Sequence, residues 1–140
     1  MTRVEFYFNV TDKLAKVTEL CGRAVAKGRQ LTVFTQDQAM IEALQQLLWQ
    51  HAPEIFLPST SPHDENSAFS PIILDNEGSH LLQDDILINL KTMHPPFFSR
   101  FRYLVEIVGN DEEDKVAARQ RYKFYRDRGY QVKSTDAAAG

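Results

Sequence analysis

A chain of 140 residues with 43% hydrophobic and 25% charged residues has the length and balance of one globular domain built on a single core. No apolar run approaches the ~20 residues a bilayer span needs, the N-terminus MTRVEFYFNV does not read as a signal peptide, and the lone Cys21 excludes an internal disulfide framework; a reducing cytoplasm is the expected compartment. The net charge of −3 argues against a broad polyanion-binding surface.

In chain order, VEFYFNV (residues 4–10) is rich in β-branched and aromatic residues and predicts a strand. Thr11 and Asp12 are candidate N-caps for a helix whose inward positions, Leu14, Val17, Thr18, Cys21, Ala24 and Val25, recur until Lys27-Gly28 stops it. QLTVFT (30–35) predicts a second strand. Asp37 can cap a second helix with a stripe of Met40, Ile41, Leu44, Leu47 and Leu48, which has run out by Pro53. This alternation predicts parallel strands with helical crossovers, hence a layered α/β fold. Residues 58–70 (PSTSPHDENSAFS) read as a long polar loop, PIILD as a short strand, and the stretch centred on Ile86–Leu90 as another. Pro95-Pro96 opens a short helical or turn segment over FFSRF, and RYLVEIV (102–108) is the last strong strand.

The final helix opens at Asn110 or Asp111, with the acids of DEED at its positive end, arginines at its negative end and Gly129 as its stop. YQV (130–132) predicts a short edge strand, and about 134–140 (STDAAAG) a frayed tail of the single domain 1–140. Charge concentrates in this helix. Residues 115–128 carry Lys115, Arg119, Arg121, Lys123, Arg126 and Arg128 against Asp127, a net +5, so the remaining chain is −8.

Catalytic and ligand motifs are thin. The first strand runs into NVTDKLAK with no glycine to bring the backbone against a phosphate, and neither GxGxxG nor GxxxxGK[ST] occurs. His51, His63, His80 and His94 stand at no ligand spacing and read as surface or loop histidines; no CxxC or HExxH appears. Asp84-Asp85 reads as a solvated turn, and Cys21 as core packing rather than a nucleophile. No metal, cofactor or catalytic group is expected.

The basic helix is more specific. Arg119, Tyr122, Lys123 and Arg126 are spaced i, i+3, i+4 and i+7 and share one face. Ala117, Ala118 and Tyr125 lie opposite, against a sheet, with Arg121 between them, its stem buried and its head in water. Three cations around a tyrosine suit an acidic peptide with a hydrophobic end, since arginine grips a carboxylate through paired hydrogen bonds and tyrosine offers an apolar wall. A solvated amphipathic helix explains the same residues. Trp49 and Phe56, flanking HAPEI, fit either a partner-binding anchor or, more plainly, a cap on the core.

The FYF strand, a tryptophan and then FLP after the second helix, DILINL in the middle and RQRYKFYRDRGY near the end resemble, in this order, the chi subunit family of bacterial DNA polymerase III. The likeness runs over essentially the whole chain. It implies a Rossmann-like three-layer α/β/α sandwich with a mostly parallel sheet and no nucleotide-binding loop. It also implies a non-catalytic accessory subunit that links the clamp loader, through the psi subunit, to the acidic C-terminal tail of single-stranded DNA-binding protein. That tail ends in aspartates followed by proline and phenylalanine. By the same resemblance, Arg119 pairs with the tail's terminal carboxylate, Tyr122 and Val108 line the pocket for its ring, and Lys123, Lys115 and Arg126 attract its aspartates. The psi contact falls on Phe56 with Trp49 and Pro58, although Ser59 replaces the usual histidine after FLP. DNA is then handled only indirectly. The rival reading is direct single-stranded nucleic-acid binding by the same basic and aromatic face; a nucleotide-dependent enzyme ranks below both.

Overall fold

The computed structural model describes residues 2–51, 59–60, 72–78 and 83–138. Its elements are β1 (Arg3–Val10), α1 (Lys13–Ala26), β2 (Leu31–Phe34), α2 (Gln38–His51), β3 (Ser59–Thr60), β4 (Ile72–Asp75), β5 (Ile86–Asn89), a 3-10 turn at Phe98–Arg100, β6 (Tyr103–Gly109), α3 (Glu112–Asp127) and β7 (Val132–Asp136). The strands form one sheet in the order β3-β4-β2-β5-β6-β1-β7. Every pairing among the described residues is parallel. The mostly parallel sheet expected from the sequence is therefore parallel throughout its described pairings.

Two apolar cores make the three layers. On one face, Val17, Cys21, Ala24, Ile41, Leu44 and Leu48 of α1 and α2 pack on Val33, Ile88 and Val105. On the other, Ala118 and Tyr125 of α3, with Phe98 and Phe101, pack on Val4, Phe6, Leu104 and Val108. This is the Rossmann-like α/β/α sandwich. Strands β2, β4 and β6 are buried along nearly their whole length, which is why their sequences are continuous apolar runs rather than alternating ones.

The caps follow the sequence reading. Asp12, Asp37 and Asp111 accept hydrogen bonds from the backbone N–H groups of Ala15, Met40 and Glu113. Gly129, at φ +84°, reverses the chain after α3 as a side-chain-bearing residue does not readily do. Two elements exceed expectation. A two-residue strand, β3, sits inside the predicted polar loop and pairs with Ile72 and Ile73 of β4. β7 runs through Asp136 alongside Val4–Phe8, so hydrogen bonding holds residues 134–136, which composition had assigned to a frayed tail.

β1 carries a bulge. Between Tyr7 and Val10 it advances one residue more than its partner β6 does between Ile107 and Gly109, and Asn9 takes φ 59° to absorb the excess. Val4 and Phe6 belong to the α3 core, yet Val10, of the same parity, is turned into the α1–α2 core.

A buried polar network fixes α3. Glu106, fully buried on β6, accepts hydrogen bonds from Arg121 Nε at 3.0 Å, Tyr125 Oη at 2.5 Å and Asn89 Nδ2 at 3.1 Å. Arg121 also donates to the Thr92 carbonyl at 2.8 Å. The expectation that the Arg121 head reaches water is thus corrected: the residue is only 3% exposed, because a carboxylate lies beneath the helix. Burial pushes the Glu106 carboxyl above its ordinary value, against the pull of Arg121, Tyr125 and Asn89. Replacing Arg121 with methionine leaves that carboxylate buried without its counter-charge and should cost about 3–5 kcal/mol in urea unfolding. A carboxyl with a raised folded pKa contributes its stability fully below the unfolded value and loses it as pH rises through the folded one. The deficit of Arg121→Met should therefore shrink in mild acid and grow toward neutral pH.

Candidate functional site

All six residues assigned to tail binding, Val108, Lys115, Arg119, Tyr122, Lys123 and Arg126, line a single groove of about 570 Å³ between α3 and the strands beneath it. Its floor and far wall come from Phe6, Phe8, Ala118 and Ser134. The Tyr122 ring leans on Phe6, centroids 5.5 Å apart at 57°, so one wall is a fixed aromatic corner. Sequence reasoning missed the contributions of β1 and β7, since nothing in the helix indicates which strands flank it. The alternation of Phe6 and Phe8 in FYF was the one available signal.

The cations around the groove are not equivalent. Lys115 pairs with Glu112 and Arg126 with Asp127, each at 3.6 Å. Arg119 and Lys123, both exposed, form no ion pair among the described residues. The groove thus combines an apolar trough with two uncommitted cations one turn apart, flanking Tyr122. That arrangement can hold a carboxylate-bearing chain whose apolar end enters the trough.

At the C-terminal ends of β1 and β6, chain direction reverses: α1 leaves β1 on one face, and α3 leaves β6 on the other. Folds of this type bind ligands in that crevice. Here Asp114 crosses it, accepting from Gly109 N–H at 2.6 Å and from Lys13 Nζ at 3.2 Å. An ion pair thus spans this crevice, while Asn9 and Gly109 at the ends of β1 and β6 also line the α3 groove.

Other sequence candidates sort differently. Trp49 is 68% exposed on α2, so it does not cap the core; Phe56 and Pro58 lie outside the described residues. Asp85 is held in a two-pronged pair by Arg29, which keeps its carboxyl below the usual range, and it accepts from Gln30 N–H. Burial pushes the Cys21 thiol up to about 12, as suits a core residue. His94 stacks on Phe124 at 3.6 Å. His51, His63 and His80 have no described side-chain environment. Among the described residues no cluster of three potential metal ligands occurs, and no helix is long and apolar enough to cross a membrane.

The family model described as DNA polymerase III chi subunit, HolC matches residues 1–133. Among curated relatives, the DNA polymerase III subunit chi of Pseudomonas aeruginosa is 31% identical over 137 residues, covering 93% of each chain. That of Haemophilus influenzae is 28% identical, covering 91% of this chain and 92% of its own. That of Escherichia coli is 26% identical, covering 83% and 80%. Among solved structures, the C-terminal domain of the DEAD-box protein Dbp5 superposes with a TM-score of 0.65 over 99% of this chain and 91% of its own, at 10% identity, a likeness of fold alone.

The Asp114 contacts offer a test of how the crevice is spanned. Asp114→Ala should lower stability by about 1.5–3 kcal/mol, because a charge-assisted hydrogen bond to Gly109 N–H disappears, and denaturant midpoints would show it.

Proposed function

Because the chain belongs to the DNA polymerase III chi subunit family, an accessory component of DNA replication, we propose that it is a non-catalytic adaptor of the cytoplasmic replication machinery whose α3 groove takes the acidic C-terminal tail of single-stranded DNA-binding protein. The observation that carries this reading is the pairing of Arg119 and Lys123, free of ion pairs among the described residues, with an apolar trough deep enough for one ring. Arg119 grips the terminal carboxylate, Phe6, Val108 and Tyr122 surround the terminal phenylalanine, and Lys123, Lys115 and Arg126 face the aspartates. Lys115 and Arg126 give up only exposed, long ion pairs to do so, which costs little.

The clamp-loader side of the adaptor is the psi subunit, with the exposed Trp49 in its contact and Phe56 and Pro58 assigned to it by the family resemblance. An exposed tryptophan supplies the kind of apolar anchor on which interfaces concentrate their energy. The tail groove on α3 and Trp49 on α2 belong to opposite layers of the sandwich, so both partners can be held at once.

A short tail buries little surface, so a single contact should be of roughly micromolar strength and weaken with salt. Many tails on one coated strand raise the effective concentration and make such contacts sufficient. Arg119→Ala should lower affinity for a synthetic Asp-Asp-Asp-Pro-Phe peptide about ten- to a hundredfold in a calorimetric titration, the value of one charge-assisted contact, with an unchanged melting temperature. Undiminished binding by that variant would reject the assignment. Tight binding of bare oligothymidylate at physiological salt, poorly competed by the peptide, would instead favour direct nucleic-acid binding.

A further inference from the structure

On the face of the sheet away from the tail groove, a second cavity of about 250 Å³ opens between the C-terminal half of α1 and strands β1, β5 and β6. Its apolar lining includes Leu20, Ile86, Ile88 and Val105, and the rings of Tyr7 and Tyr103 form its walls. Both phenols are committed to Glu5: Tyr103 Oη donates to Glu5 Oε2 at 3.0 Å, and Tyr7 shares that carboxylate. Neither hydroxyl is left to a guest; Lys16 Nζ lies over the Tyr7 ring at 4.8 Å, a further cation beside the aromatic walls. Arg23, Lys27 and Arg29 line the cavity as well.

Positive charge gathers here too, though less than on α3. Outside residues 115–128 the chain has ten lysines and arginines. Six of them, Arg3, Lys16, Arg23, Lys27, Arg29 and Arg102, gather around this cavity, against Glu5, Glu19 and Asp85. Lys27 is exposed and forms no ion pair among the described residues. Arg23 holds Glu19 in an exposed i, i+4 pair, an association weak enough to be exchanged for another carboxylate.

We propose that this cavity is a second docking site for an acidic peptide, one large apolar side chain entering between Tyr7 and Tyr103 while its flanking carboxylates meet Lys27 and Arg23. The volume suits one side chain. With both phenols turned to Glu5, the walls offer no free hydroxyl to read a base edge, and the carboxylate behind them opposes a phosphate driven inward. A peptide keeps its charges at the rim and sends in only hydrocarbon, which fits the apolar lining and the outer cations together. The α3 groove stands or falls separately. If both sites are occupied, one molecule grips two acidic segments on opposite faces and gains in avidity without any new contact.

The test is methyl NMR on the full chain carrying Arg119→Ala, titrated with Asp-Asp-Asp-Pro-Phe. Saturable shifts of the Leu20, Ile86 and Ile88 methyls are expected, and adding Lys27→Glu should weaken them roughly fivefold, as for reversal of one exposed charge. Methyls that stay still at millimolar peptide, or shifts indifferent to Lys27→Glu, would overturn the second site. So would oligothymidylate moving these methyls where the peptide does not. In the unsubstituted protein the Val108 methyls report the α3 groove independently, so loss of either site is seen apart from the other.

Discussion

The buried carboxylate of Glu106 governs how the basic face of α3 is presented. Its two oxygens receive Arg121 and Tyr125 from the helix and Asn89 from β5, and the guanidinium continues to the Thr92 carbonyl. An apolar helix face would pack acceptably over a range of rotations. A fully buried carboxylate tolerates only the one in which its donors arrive, because any other leaves a desolvated charge without partners. With Arg121 and Tyr125 pinned downward, helical geometry turns Arg119, Lys123 and Arg126 outward and sets Tyr122 at the margin against Phe6.

The same network alters the charge that a partner meets. The basic segment counts +5 by composition, but Arg121 spends its charge on Glu106, and Lys115 and Arg126 have carboxylates close by. Attraction at the groove therefore concentrates at Arg119 and Lys123. In a chain whose remainder is −8, long-range steering of a polyanion is poor, which suits the proposed guest, a short acidic end reaching two adjacent cations.

Much of this was legible in the sequence because it is local. The i, i+3, i+4, i+7 spacing of Arg119, Tyr122, Lys123 and Arg126, the capping aspartates and the apolar stripes of α1 and α2 depend on neighbours along one helix. What failed depends on partners far away in sequence. Arg121 was read as reaching water because Glu106 sits in a strand buried on both faces, where a carboxylate shows no alternation to mark it. Phe8 and Ser134 entered the groove only once β1 was known to lie between β6 and β7. Residues 134–136, polar and unremarkable, became a strand because β1 had a free edge to offer them. Function was least legible: residue types alone left an amphipathic helix and a peptide site equally open, and the proposal of a peptide site draws on the family resemblance.

The position of the groove shows how a nucleotide-type fold can carry a different task. In parallel sheets of this kind the crevice where chain direction reverses receives ligands because two helix N-termini converge on it. Here Lys13 at the start of α1 and Asp114 in the first turn of α3 meet across that crevice, and Asp114 also takes the Gly109 N–H that a phosphate oxygen would otherwise claim. The groove on the α3 face begins beside this ion pair, with Asn9 and Gly109 in its lining, and continues alongside the helix over Phe6, Phe8 and Val108. An elongated trough beside a helix presents side chains in series rather than converging backbone amides. Such a series of side chains is the arrangement that the proposed acidic tail, an extended chain with spaced charges, would meet.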